Sequence, residues 1–148
     1  MKQAYVFVEG TNEVVFLNRI LPTEILSDIE MISTGSSSGA PSLARSYLVR
    51  RHKPVLLMMD SHTLNPELIE ERRGMTEEVI RLAHAAIPVK VITIVPSIEV
   101  WLCTSTESVE RITGIAVSEE WLAQARRDPK WMLNQLCEKH QKVWNFDE

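Results

Sequence analysis

The chain has 148 residues, 45% hydrophobic and 24% charged, which suits one globular domain able to bury about 70% of its unfolded surface without a disulfide or structural metal. Sixteen Lys and Arg against 20 Asp and Glu leave a net charge of −4, which argues against a uniformly basic nucleic-acid binder and leaves only local patches. No apolar run approaches the roughly 18 residues of a membrane span, so no membrane role is expected.

The pattern predicts a first strand over residues 3–8, its core the apolar run Tyr5 to Val8. It runs into Glu9 and Gly10, where the chain can turn without a Cβ penalty, and then into Thr11 or Asn12 as the cap of a helix over 12–21. Pro22 stops that helix. Alternation from Asp28 to Ile32 predicts a half-exposed edge strand. The donor-rich loop Gly35-Ser36-Ser37-Ser38-Gly39 follows, and Pro41 is placed for the first turn of a helix running to Arg51. Pro54 to Met59 is almost continuously apolar, as a central parallel strand should be, and ends in Asp60.

Asn65-Pro66 opens a helix expected to end near Gly74, with a second one capped by Thr76 and running to Ile87. Val89 to Val95 is the fourth strand, and Pro96-Ser97 starts a short helix through Leu102. The tail reads as three short helices over 107–113, 118–126 and 129–141, the last capped by Asp128-Pro129. The β-α-β order argues an α/β fold with a mainly parallel four-stranded sheet. The start of the chain leads directly into a strand, so no signal peptide is expected. Cys103 and Cys137 lack CxxC spacing and are expected as reduced thiols of a cytoplasmic protein.

Two acids stand at the carboxyl ends of predicted strands, Glu9 and Asp60. With strand order 2-1-3-4 they would meet at the switch point where open α/β sheets bind ligands. Two carboxylates that close repel each other, and a hard cation resolves the conflict. Glu99, inside Ile98-Glu99-Val100-Trp101-Leu102, is either a third ligand or an exposed residue of a short amphipathic helix. His52, His84 and His140 read as structural or exposed, and Met58 and Met59 as strand core. The basic clusters Arg45, Arg50 to Lys53 and Arg72-Arg73 read first as solvated helix faces. Trp121, Trp131 and Trp144 gather in the tail, as core residues or as a partner surface.

The strand ending in Glu9-Gly10, the later strand ending in Asp60, the β/α order between them and the segment Ile98 to Leu102 resemble the Toprim domain. That domain is shared by topoisomerases, bacterial primases, recombination factors and the overcoming-lysogenization-defect (OLD) nucleases. The resemblance covers roughly residues 3–103 and is strongest to small OLD-type nuclease subunits associated with ABC ATPases in phage defence. It implies a Rossmann-like Toprim core, taken over 1–106; the tail helices read from the residues are expected as an extension over 107–148 packed on that core in one domain. It implies metal-dependent hydrolysis of DNA or RNA with Mg²⁺ or Mn²⁺, a partner ABC-type ATPase and a homodimer as a further option.

In that scheme Glu9, Asp60 and Glu99 hold the metals, Glu13 is a further ligand and His62 is a ligand or general base. The loop Gly35, Ser36, Ser37, Ser38 and Gly39, with the helix after Pro41 and Arg45, is either a phosphate and nucleic-acid contact or a solvated loop. It lacks the Lys of a P-loop. One departure matters: the family usually carries Asp-x-Asp where this chain has Asp60-Ser61-His62. Imidazole suits Mn²⁺ or Zn²⁺ better than Mg²⁺. The loss of a carboxylate leaves open a catalytically weakened subunit that only docks on its partner. Asp60-Ser61-His62-Thr63 also faintly echoes the box of haloacid-dehalogenase-like phosphatases, which carry theirs on the first strand.

Overall fold

In the computed structural model, which describes residues 2–36 and 38–140, the first apolar run becomes strand β1, Ala4–Val8. There follow α1 (Thr11–Ile20), α2 (Thr23–Asp28), β2 (Ile29–Ser33), α3 (Ala40–Arg51), β3 (Val55–Asp60), α4 (Pro66–Arg81) and β4 (Val89–Ile94). A 3-10 turn over Ile98–Leu102 leads to α5 (Thr106–Thr113), α6 (Glu119–Ala125) and α7 (Pro129–Lys139).

The strands form one sheet in the order β2-β1-β3-β4. β1 pairs in parallel with β2 and β3, so that Tyr5 lies opposite both Glu30 and Val55. The Val55 N–H donates to the Pro88 carbonyl and the Ser61 N–H to that of Ile94. The sequence offset is the same in both, as a parallel pairing requires, so the sheet is parallel throughout. This is the α/β architecture expected from the alternation of strand and helix signals, and it is consistent with a Toprim-like Rossmann fold.

Contacts divide the described residues into two units. The first comprises those of Met1–Met59 and Asn65–Thr93. Its core is built from Tyr5, Phe7, Ala44, Leu48, Leu57, Ile80 and Val91, all buried. Tyr47 of α3 stands edge-on to Tyr5 and Phe7, with ring centroids 4.9 and 5.3 Å away. Such pairs add about 0.5–1.5 kcal/mol beyond the area they bury. The second unit comprises Asp60–Leu64 and the described chain from Ile94 onward. Its buried residues include Val109, Leu122, Leu133 and Cys137. Ser105, Ser118 and Asp128 cap α5, α6 and α7 with their side chains, and Gly114 ends α5 in the left-handed region at φ 73°. The Arg126 guanidinium donates to the carbonyls of Cys103 and Thr104 at 3.2 and 2.9 Å, which ties the end of α6 to the segment before α5.

Three local expectations are corrected. α4 is one helix through Gly74, not two. The Thr76 hydroxyl donates back to the Arg72 carbonyl instead of capping, and Arg73 bridges Glu70 and Glu77 across the glycine. These bonds offset the roughly 1 kcal/mol that glycine costs a helix interior. A short α2 precedes β2 where no helix was expected. The N-cap of α1 is Gly10, not Thr11 or Asn12. Ser37 and Trp144 lie outside the described residues. Among the described residues no helix is long and apolar enough to cross a membrane.

Glu77 joins α4 to the edge strand β4: its carboxylate accepts the Val91 N–H at 3.0 Å and ion pairs with Arg73 and Arg81. The Val91 N–H, then Arg73, Lys90 and Arg81, hold its carboxyl below the usual range. Its contribution is therefore complete above the unfolded-state value and fades as pH falls through the lower folded-state one. Hydrogen bonds to charged groups are worth about 1.5–3 kcal/mol, so Glu77→Ala is expected to lose that much in urea denaturation near neutral pH and less in acid. An equal loss at both pH values would refute this role.

Candidate metal centre

Glu9 follows directly on β1, and Asp60 is the last residue of β3. The two strands are hydrogen-bonded neighbours running the same way, so both acids emerge at the carboxyl edge of the sheet. His62 comes two residues after Asp60. One donor atom from each of Glu9, Asp60 and His62 lies within 4.8 Å of the other two.

The backbone around His62 is over-determined. His62 is in the left-handed region at φ 52°, which costs a non-glycine residue about 1–2 kcal/mol. The neighbouring amides hold it there: Ser61 N–H donates to Ile94 and His62 N–H to Pro96, both at 2.9 Å. The buried Ser61 hydroxyl donates to the Thr63 carbonyl at 2.7 Å. Strain kept in place by its surroundings, beside two converging acids, marks a site.

Asp60 and His62 also line a cavity of about 430 Å³ with Thr63, Ser97, Glu99, Arg127, Asp128 and Lys130. Glu99 was an open case in the sequence, exposed or ligand. It is buried, 8% exposed, on the 3-10 turn, and its Oε2 has no hydrogen-bond partner among the described residues. A buried carboxylate oxygen without a partner is costly, so the position calls for a cation or a donor from outside the protein. Glu99→Gln is expected to melt in EDTA at or above the wild-type temperature and to lose part of the upshift that Mn²⁺ gives. An upshift equal to the wild type's would separate Glu99 from the metal.

Glu13 is not in the close trio. Its carboxylate folds back over Gly10, so that a Cβ there would lie 2.9 Å from Glu13 Oε2. Gly10 itself is extended, at φ −136°, which any residue adopts. The atom a Cβ would meet is the end of the flexible Glu13 side chain, which can move aside, so neither this contact nor the turn read from the sequence requires glycine here. In the Gly35–Gly39 loop, Gly35 is left-handed at φ 75°. Among the described residues at this loop, the Thr34 hydroxyl donates to the Ser36 carbonyl at 2.8 Å, and the Ser36 and Ser38 hydroxyls stand 3.3 Å apart. Arg45 is exposed on α3.

Sequence reasoning missed Arg127 and Lys130. It took Asp128 only as a helix cap, which it is, with Oδ1 accepting the Trp131 N–H at 3.3 Å. The available signal was the basic run Arg126-Arg127 and Lys130 bracketing that cap in an acidic chain. Burial pushes the thiol of Cys103, also in this unit, up to about 11; Arg126 opposes the rise and Glu99 adds to it. Cys103 and Cys137 are both buried and form no disulfide.

No family model matches the chain, and no curated protein does. Among solved structures it is similar to the C-terminal region of the OLD protein of Xanthomonas campestris pv. campestris. That comparison gives 20% identity and a TM-score of 0.46, covering 94% of this chain and 80% of the other. It is also similar to the C-terminal region of the Burkholderia pseudomallei OLD protein, at 18% identity and a TM-score of 0.46, over 94% of this chain and 82% of that one.

The donor set fits a metal ion. Oxygen and nitrogen ligands at about 2.1–2.2 Å from one cation stand at most about 4.4 Å apart, so a spread of up to 4.8 Å is within a small side-chain adjustment. Two carboxylates and an imidazole can hold a divalent cation between them.

Proposed function

We propose that the chain is a metal-dependent nuclease of Toprim type, the effector subunit of an OLD-like defence system that works with a partner ATPase in the cytoplasm. The observation that carries the reading is the convergence of Glu9, Asp60 and His62 within 4.8 Å. Glu9, Asp60 and His62 would hold one divalent cation, with Mn²⁺ favoured over Mg²⁺ by the imidazole. Glu99 would serve a second position in the adjoining cavity. The bound metal supplies an activated water and neutralises charge on the leaving oxygen.

The chain's own groups do the rest. Arg127 and Lys130 face the same cavity as Asp60 and Glu99, and so present cations to a phosphodiester entering it. Ser61 and the amides of the Asp60-Ser61-His62 turn keep His62 in its strained backbone, from which the exposed imidazole reaches the neighbourhood of Asp60. Glu13, whose carboxylate lies over Gly10, would stand outside the ligand set of the first metal.

Supercoiled DNA, single-stranded DNA and RNA incubated with the full chain and Mn²⁺ or Mg²⁺ test this reading. Nicked or shortened products that vanish with EDTA are expected for at least one substrate. Intact substrates throughout, together with Mn²⁺ binding lost in Glu9→Ala, would leave a metal-binding docking subunit. One observation favours that second reading: Trp131, on α7, is 57% exposed and available to a partner.

A further inference from the structure

We propose that the outward face of α3 is a binding surface for the sugar-phosphate backbone of a nucleic acid. The proposal rests on the nuclease reading only for the class of partner. α3 carries Arg45, Arg50 and Arg51 and no acid over Ala40–Arg51, in a chain whose net charge is −4. Its inward face is set by Ala40, Ala44 and Leu48, which are buried. Ser42, Arg45, Ser46, Val49 and Arg50 recur at intervals of three and four and so share the opposite face. They line a cleft with Leu82.

What distinguishes this face is that its charges are not neutralised within the unit. On α4, Arg73 and Arg81 are each paired with glutamates: Arg73 with Glu70 and Glu77, Arg81 with Glu77 and Glu78. The side chains of Ser42, Arg45, Ser46 and Arg50 make no hydrogen bond or ion pair with any described residue. The polar groups are donors throughout, arginine offering no acceptor, and the partner they suit is a run of anionic oxygens.

The spacing fits a nucleic-acid strand. At about 1.5 Å of helix rise per residue, Ser42 to Arg50 spans about 12 Å, and a duplex strand presents one phosphate per ~3.4 Å of its axis, so about three phosphates fall along the face. Val49 and Leu82, both exposed, give the sugars an apolar floor. An acidic peptide has no such fixed charge period, which is why the nucleic acid is the favoured occupant.

The test is fluorescence anisotropy of a short labelled duplex and the matching single strand with the full chain in EDTA, where no metal-dependent cleavage occurs, across a series of KCl concentrations. Arg45→Gln/Arg50→Gln is expected to weaken binding at least tenfold and to reduce the slope of log K against log salt by about 1.8 for duplex or about 1.4 for single strand. Arg45→Lys/Arg50→Lys keeps the charges and should retain most of the slope; unchanged melting of both variants excludes misfolding. No binding by the wild type, an unchanged slope in the double Gln variant, or displacement by polyglutamate at lower concentration than by unlabelled DNA would each overturn the proposal. The last outcome would point to an acidic protein instead. Persistent metal-dependent cleavage with an unchanged slope sinks the α3 surface alone. Intact binding with no substrate cut sinks the nuclease reading alone.

Discussion

Asp60→Ala is expected to lower divalent-dependent cleavage about a thousandfold or more, the largest functional effect of any single change in this chain. Asp60 is the carboxylate common to the close trio and to the cavity that holds Glu99, Arg127 and Lys130, a place it shares with His62. Metal ions contribute several kilocalories of transition-state stabilisation, and about 4 kcal/mol corresponds to a thousandfold in rate. Asp60→Asn, which keeps the shape and removes the charge, should fall nearly as far. Gel assays at saturating Mn²⁺ read the rate, and melting curves confirm that each variant folds. Retention of full cleavage by folded Asp60→Ala protein would remove the carboxylate edge of the sheet from the chemistry.

The largest stability effect is expected at Phe7. It is fully buried in the middle of β1, between β2 and β3, with Tyr47 edge-on at 5.3 Å. Truncating a buried Phe to Ala typically costs about 3–5 kcal/mol through lost transfer energy and the cavity left behind. Phe7→Ala should therefore shift the urea midpoint strongly with little change in slope. Phe7→Leu should cost much less, since most of the volume is kept. A loss below about 1 kcal/mol would mean that β1 is not the spine of the sheet. Because Glu9 is two residues beyond Phe7, just past the end of β1, the variant is also expected to weaken Mn²⁺ binding.

The sheet was legible in the sequence because its strands have little else they can be. Tyr5 to Val8 and Val55 to Met59 are apolar on both faces, and a strand buried on both faces leaves that mark. The alternating Ile29 to Ile32 likewise announced an edge, and β2 is the outer partner of β1. What was misread turned on residue habits: glycine usually stops a helix and threonine usually caps one. The i, i+3 and i, i+4 pairs of Arg73 with Glu70 and Glu77 carry α4 through Gly74, and Thr76 bonds back one turn to Arg72. Gly10 reads as a turn residue because glycine usually is one, whereas its backbone is extended at φ −136° and it stands as the N-cap of α1.

The candidate site divides in the same way. Glu9 and Asp60 could be paired from strand order alone, and their convergence follows from parallel pairing. The position of His62 beside them needed the turn that Ser61 closes, which no periodicity encodes. The burial of Glu99 needed the tail helices, whose weak periodicity gave their existence but not their packing. Arg127 and Lys130 stayed hidden because a charge beside a helix cap has an adequate local explanation already.

The bond between Glu77 and Val91 has a consequence for how the protein behaves in bulk. β4 is the outermost strand on its side, and its outward amides are a template on which another chain can add. The carboxylate occupies one of them and sets a negative charge beside it. Acid strong enough to protonate Glu77, below the ordinary carboxylate range, would release that amide and discharge the guard at once, so self-association there would begin along this margin.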